Sequence, residues 1–209
     1  MVHGPRTARR VALTFDACSG PPPGKLDAAV LQGLEAAHAP ATIFVGGRWA
    51  EQDPARVKAL VADPQLELGI HGYGHPHLTH LSEPALRREL SRAADVLEKQ
   101  AGRRPTFLRA PYVEADARVV RVARELGLTL VSGDVASGDP DPHFGKKTLV
   151  RWVLASARPG SIVIMHINGH GWHTAEALPD IIAGLRAKGF ELVTVGELLG
   201  RPPPAPDGG

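Results

Sequence analysis

The sequence predicts an α/β fold: a compact, incomplete (β/α) barrel, with an open doubly wound sheet as the alternative. Three observations carry this expectation. Short apolar runs alternate about seven times with stretches of helical period. Helix-ending glycines and capping Ser or Asp residues stand between them. The 209 residues suffice for one domain with a sizeable core.

Taken in order, strands are expected at Arg10–Asp16, Ala41–Gly46, Leu66–His71, Thr106–Arg109, Leu128–Ser132, Ser161–His166 and Glu191–Val195. Each is a short run of apolar residues, bounded in most cases by Gly, Pro or Asp. Helices are expected at Leu26–His38, Pro54–Ala62, Glu83–Gln100, Asp116–Leu126, Lys147–Ala157 and Thr174–Lys188. Ser82 and Asp116 read as N-caps, and Gly102, Gly127 and Gly189 as left-handed C-terminal caps. A short turn over Gly196–Leu199 closes the domain, taken as residues 10–200. The first βα connection, Gly20-Pro21-Pro22-Pro23-Gly24, lacks a phosphate-binding glycine pattern, which disfavours a dinucleotide fold. Residues 1–9 read as a flexible arm and 201–209 as a disordered Pro/Gly tail.

Composition narrows the function. Hydrophobic content of 43% and charged content of 22% are ordinary for a globular protein. The 24 basic and 22 acidic residues are interspersed, so no nucleic-acid partner is expected. No stretch approaches the roughly 18 apolar residues of a membrane span. The N-terminus has no apolar h-region, leaving the compartment open between cytoplasmic and secreted with the signal already removed. With Cys18 as the single cysteine, no intrachain disulfide can form. Oligomeric state is left open.

The reactive side chains gather where predicted strands end. Asp16 ends the first strand and His71 the third, with His75 on the following loop. Arg109 and Tyr112 follow the fourth, Asp134 and Asp139 the fifth, and His166 closes the sixth. In parallel β/α folds this carboxyl rim is where catalytic groups collect. His71 and His75, four residues apart across a glycine-containing turn, are candidate ligands for a divalent ion. His77 and His80 read instead as loop residues. There is no G-x-S-x-G elbow, and Cys18 has no evident His–Asn framework in the sequence. The expected chemistry is hydrolysis by a water activated by a metal and a carboxylate, with a His protonating the leaving group.

Five short motifs, in order, resemble those of the polysaccharide deacetylases with NodB homology, the carbohydrate esterase family 4 group. Thr14-Phe15-Asp16-Ala17 matches T-F-D-D except at its last position, and His71-Gly72-Tyr73-Gly74-His75 matches H-[ST]-x-x-H except at Gly72. Arg109-Ala110-Pro111-Tyr112 matches R-x-P-Y in full. Asp134-Val135-Ala136-Ser137-Gly138-Asp139-Pro140 follows D-x-x-S-x-D-W up to Pro140, and Ile164-Met165-His166 stands for L-x-H.

The resemblance implies a distorted, incomplete (β/α)7 barrel that removes N- or O-linked acetyl groups from a glycan. By the same similarity, Asp16 is the general base and Arg109 its partner. His166 is the general acid with Asp139 behind it, and the Tyr112 backbone N–H stabilises the oxyanion. His71 and His75 hold a divalent metal, zinc by the family's habit.

Two departures stand out. Ala17 replaces the Asp that supplies the family's third metal ligand, leaving Asp16, His77, His80 or Cys18 as substitutes. Pro140 replaces an aromatic of the acetyl pocket. Two further readings stay open: a small-amide hydrolase of the same superfamily, working without metal, and a degenerate domain that binds glycan without turnover.

Overall fold

Alternation along the first strand, Arg10–Ala17 (β1), sets up the molecule. Val11, Leu13, Phe15 and Ala17 belong to the large apolar cluster beneath the helices. Ala12 belongs to a smaller second cluster, and Thr14 and Asp16 follow it at the same parity. The second cluster also takes Phe44, Phe107, Val131 and Ile162, so it fills the concave side of a curled sheet. On β1 and β7 this face begins apolar, at Ala12 and Ile162, and turns polar at the carboxyl end, at Asp16 and His166.

The computed structural model describes residues 1–19 and 24–201. After β1 come α1 (Ala28–Ala36), β2 (Ala41–Val45), α2 (Gly47–Gln52), α3 (Pro54–Ala62), β3 (Leu66–Ile70) and α4 (Glu83–Ala101). Then follow β4 (Phe107–Leu108), α5 (Ala117–Glu125), β5 (Thr129–Leu130), β6 (Val135–Ala136) and α6 (Lys146–Ser156). The chain ends with β7 (Ile162–His166), α7 (Thr174–Ala187), β8 (Glu191–Leu192) and α8 (Val195–Leu198). The sheet runs β5-β4-β3-β2-β1-β7-β6, with β8 added against β1. All its pairings are parallel. Among the described residues the end strands β5 and β6 do not pair, so the barrel is incomplete, as the sequence predicts.

Local signals explain the helix limits. The Asp27 carboxylate accepts from the N–H groups of Ala29 and Val30, so α1 starts after the expected Leu26. Asp116 caps α5 by accepting from Val119 N–H at 2.8 Å. Ser82 takes the cap position of α4 without a side-chain hydrogen bond. That helix buries Leu86, Leu90, Ala93, Ala94 and Leu97 on one stripe and stops where Gly102 turns left-handed at φ 74°. Each such leucine contributes about 1.5–3 kcal/mol by burial.

Several expectations are corrected. The helix α2 and the strand β6 were not foreseen, being too short to show a period. The expected fifth strand pairs only at Thr129 and Leu130. The arm at residues 1–9 is laid against the body rather than left free. Met1's amino group donates to the Leu130 carbonyl, Gly4 N–H to Gly160, and Arg6 pairs with Asp134 at 2.7 Å. The tail beyond Arg201, like the Gly20–Pro23 connection, lies outside the described residues.

Candidate active site

At the carboxyl rim the concave face presents Asp16 from β1, His71 after β3, Arg109 after β4 and His166 from β7. Asp16, His71 and His166 line an open cleft of about 520 Å³ together with Cys18, His75, Tyr112, Asp139 and Pro140, and Arg109 lies buried behind Asp16. The walls between them are apolar: Val113, Ala136 and Ile164. Such a mixture, a few convergent polar groups in an apolar cleft, is the usual make-up of a small-molecule site.

Asp16 is almost fully buried, and burial alone would raise its pKa; the Arg109 guanidinium, aided by His71 and His166, overturns that and lowers it. Arg109 is itself inaccessible to solvent. Its Nη1 donates to Asp16 Oδ1 at 2.8 Å, its Nη2 to the Ser132 carbonyl at 2.8 Å, and its plane lies over the Phe44 ring. Gly69 makes room for that ring, since a Cβ there would stand 2.9 Å from it. The outcome is a buried, ionised and oriented carboxylate.

The second wall is the acid side. His166 Nδ1–H donates to Asp139 Oδ1 at 3.0 Å, and the His166 backbone N–H to Oδ2 at 2.7 Å. Ser137 and Thr174 hydroxyls donate to the same carboxylate at 2.9 and 2.6 Å. Burial would lower the His166 pKa, but its hydrogen bonds to Asp139 and Cys18, with the charges of Asp139 and Asp16, raise it to about 10. At neutral pH this ring is an imidazolium.

The third element is the histidine loop. His71 is buried, and its Nδ1–H donates to the Arg109 carbonyl at 3.0 Å, leaving Nε2 to face the cleft. Nε2 stands 4.0 Å from Asp16 Oδ2. Gly72 and His75 both adopt positive φ, 68° and 67°, and Glu89 Oε1 braces the loop by accepting from Tyr73 and Gly74 N–H. Tyr112, half exposed and also left-handed at φ 59°, stacks on His77 and meets His75 edge-on. His77 pairs with Glu114 at 2.9 Å, in keeping with a loop role.

Cys18 is one of the substitute ligands that the sequence leaves open. It comes one residue past β1, and its Sγ and one nitrogen each of His71 and His75 lie within 4.8 Å of one another. Burial would raise the thiol pKa; hydrogen bonds with His166, His71 and His75 instead bring it down to about 4. Two imidazoles and a thiolate are a donor set that fits a borderline divalent ion. Sequence reasoning missed Glu89 and Thr174, because they bind across 15–16 and 35 residues. Asp134 is a correction in the other direction. It lies at the opposite end of β6, where it accepts from Ile162 N–H and the Ser161 hydroxyl, so it is structural. Asp139 follows β6, not β5.

The family model for polysaccharide deacetylase matches residues 3–131. A peptidoglycan-N-acetylglucosamine deacetylase of Bacillus cereus is 31% identical over 92% of this chain and 69% of its own length. A chitooligosaccharide deacetylase of Azorhizobium caulinodans is 30% identical over 87% of this chain and 90% of its own. The chain spans 40% of a Listeria monocytogenes peptidoglycan-N-acetylglucosamine deacetylase, at 32% identity over 93% of this chain. Among solved structures, a peptidoglycan N-acetylglucosamine deacetylase superposes with TM-score 0.88 at 29% identity, covering 97% of this chain and 93% of that one. A family 4 carbohydrate esterase pseudoenzyme from Bacillus anthracis superposes with TM-score 0.86 at 26% identity, covering 95% of this chain and 68% of that one. Motifs, incomplete barrel and rim chemistry agree with the family match: this chain belongs to the polysaccharide deacetylase family.

Proposed function

We propose that this chain is a metal-dependent deacetylase acting on an N-acetylated glycan of the peptidoglycan or chitooligosaccharide class. The observation that carries the reading is the opposition of two unlike pairs across one cleft. Asp16 with Arg109 is an ionised base, and His166 with Asp139 is a charged acid. Amide hydrolysis needs both: a group to take a proton from water and another to give one to the departing nitrogen. The named activities of the relatives point the same way.

In this reading Asp16 Oδ2 accepts the water proton, while Arg109 keeps the carboxylate from rotating through its bond to Oδ1. His166 Nε2–H delivers a proton to the leaving amine, and Asp139 holds the ring with Nδ1 inward and Nε2 outward. The Tyr112 backbone N–H donates to the developing oxyanion. Val113, Ala136, Pro140 and Ile164 exclude water around the acetyl methyl. His71 and His75 would hold the divalent ion, taken to be zinc, which would supply Lewis acidity to the reaction. Retention of the acid, the base and a metal donor set favours this reading over a metal-free amide hydrolase and over a glycan-binding domain without turnover.

The test is acetate release from N-acetylglucosamine oligomers and from peptidoglycan, before and after chelation. Release that stops with chelator, returns with zinc, and falls about 10²–10⁴-fold in both Asp16→Asn and His166→Ala is the expected result. No release from either substrate in the zinc-loaded protein overturns the proposal.

A further inference from the structure

The ion proposed above lacks one protein ligand, because the carboxylate that completes the family's set is replaced by Ala17. Ala17 is fully buried and belongs to the apolar cluster beneath the helices, at the parity facing away from Asp16. The next residue, Cys18, lines the cleft. We infer that Cys18 is the third protein ligand, so that this chain holds its metal through a Cys–His–His set. The inference rests on the reading that His71 and His75 bind the ion, and deepens it.

Four features of the structure carry it. The Cys18 Sγ and the two imidazole nitrogens already lie within 4.8 Å of one another. A tetrahedral ion with bonds of about 2.0–2.3 Å spaces such ligands by roughly 3.5 Å, so closure needs only small side-chain rotations. The backbone on both sides of the thiol is held. Gly46 N–H donates to the Ala17 carbonyl at 3.0 Å, and Asn168 Nδ2 to the Cys18 carbonyl at 3.0 Å. His71 is fixed in the ligand tautomer by its bond to the Arg109 carbonyl. Finally, Asp16 is occupied by Arg109 through Oδ1. A cysteine ligand leaves the base free, whereas recruiting Asp16 to the metal would cost the reaction its proton acceptor.

The chemistry of the thiolate has consequences. On binding, the Cys18 sulfur forms the metal–sulfur bond as the thiolate. The site then selects zinc or cobalt over magnesium, manganese or calcium, which favour oxygen ligands. It also becomes sensitive to thiol oxidants in a way that a carboxylate ligand is not.

The experiment uses the full chain stripped of metal and titrated with Co²⁺, followed by absorption. Expected are the visible bands of a tetrahedral site and a near-ultraviolet sulfur-to-cobalt charge-transfer band. In Cys18→Ser the charge-transfer band is lost and Co²⁺ affinity falls by at least about tenfold. Thermal melts of the two metal-free proteins check that the variant folds, and X-ray absorption of the zinc-loaded wild type reads a sulfur neighbour without any mutation. Co²⁺ binding that is lost in His71→Ala but shows no charge-transfer band overturns the cysteine ligand and leaves the metal site standing. No binding by the wild type overturns both. Trapping of an acetylated Cys18 after substrate addition assigns the thiol to nucleophilic attack and also overturns the inference.

Discussion

Two carboxylates sit inside this barrel at opposite ends, and they are held in opposite ways. Asp16, at the carboxyl rim, has a cation within hydrogen-bond distance, and its pKa is lowered despite near-complete burial. Glu67, near the amino end of β3, has none. Burial raises its pKa, and the hydrogen bonds from Gly196 N–H and the Thr42 hydroxyl only moderate the rise. Glu67 and Thr42 together receive the first N–H groups of α8, Val195 and Gly196, and so fasten the closing helix to the sheet. The difference teaches that burial alone does not make a catalytic group. A buried carboxylate becomes a base only where the fold also buries its counter-charge.

The comparison breaks most visibly at Arg109. Arg109→Met leaves Asp16 buried without its cation, and a loss of about 3–5 kcal/mol in unfolding free energy is expected by urea titration at pH 7. Asp16 pKa lies below its unfolded value of about 3.9, so the pair's contribution is complete above that pH and lost as pH falls through the lower folded value. The gap between wild type and Arg109→Met therefore narrows on acidification. In the same variant the acid limb of acetate release moves to higher pH, because burial is then opposed only by the weaker effects of His71 and His166. A gap that stays constant with pH would show that Arg109 acts only by packing on Phe44.

Next in size is Asp139→Asn, which removes the charge behind the acid while keeping its shape. Activity at neutral pH is expected to drop about 10²-fold. His166 titrates near 10 in the folded protein, above its unfolded value of about 6.5. Its protonation thus stabilises the fold fully below that lower value, and the gain is lost as pH rises through about 10. Asp139→Asn shifts this loss, and the alkaline limb of activity, toward lower pH. An unmoved alkaline limb assigns it to another group. The smallest effect belongs to Glu67→Gln, within about 1 kcal/mol, since the amide oxygen still accepts from Gly196 and Thr42. Glu67 pKa is raised in the folded state, so its contribution is present below the unfolded value of about 4.3 and lost as pH rises through the folded one. The variant therefore gains on wild type as pH rises above about 4 in urea titrations. A variant that falls further behind wild type over that range would show that Glu67 is held as an ion after all.

Much of this arrangement was legible in the chain. Asp16, His71, Arg109 and His166 each end or immediately follow an apolar run long enough to read as a strand, and the barrel rule collects such ends at one rim. Asp139 was placed correctly beside His166, but for an incomplete reason. The strand β6 that separates it from Asp134 spans only Val135–Ala136, too little for any periodicity, so both carboxylates were assigned to the same rim. Glu89 and Thr174 carry no local signal, since each meets its partners only through the packing of a helix against the site.

What the sequence alone determined is the inventory: alternating strands and helices, two acid–base pairs of the right types, and a missing metal carboxylate at Ala17. Period and strand-end position are local properties, and side-chain chemistry needs no coordinates. What only the tertiary structure decided is proximity. Curling of the sheet brings Cys18 to His71 and His75 across about 53–57 residues of chain, and Arg109 to Asp16 across 93. Those distances follow from how the strands twist and stack into a barrel. That is a property of all the residues packed together rather than of any segment read by itself.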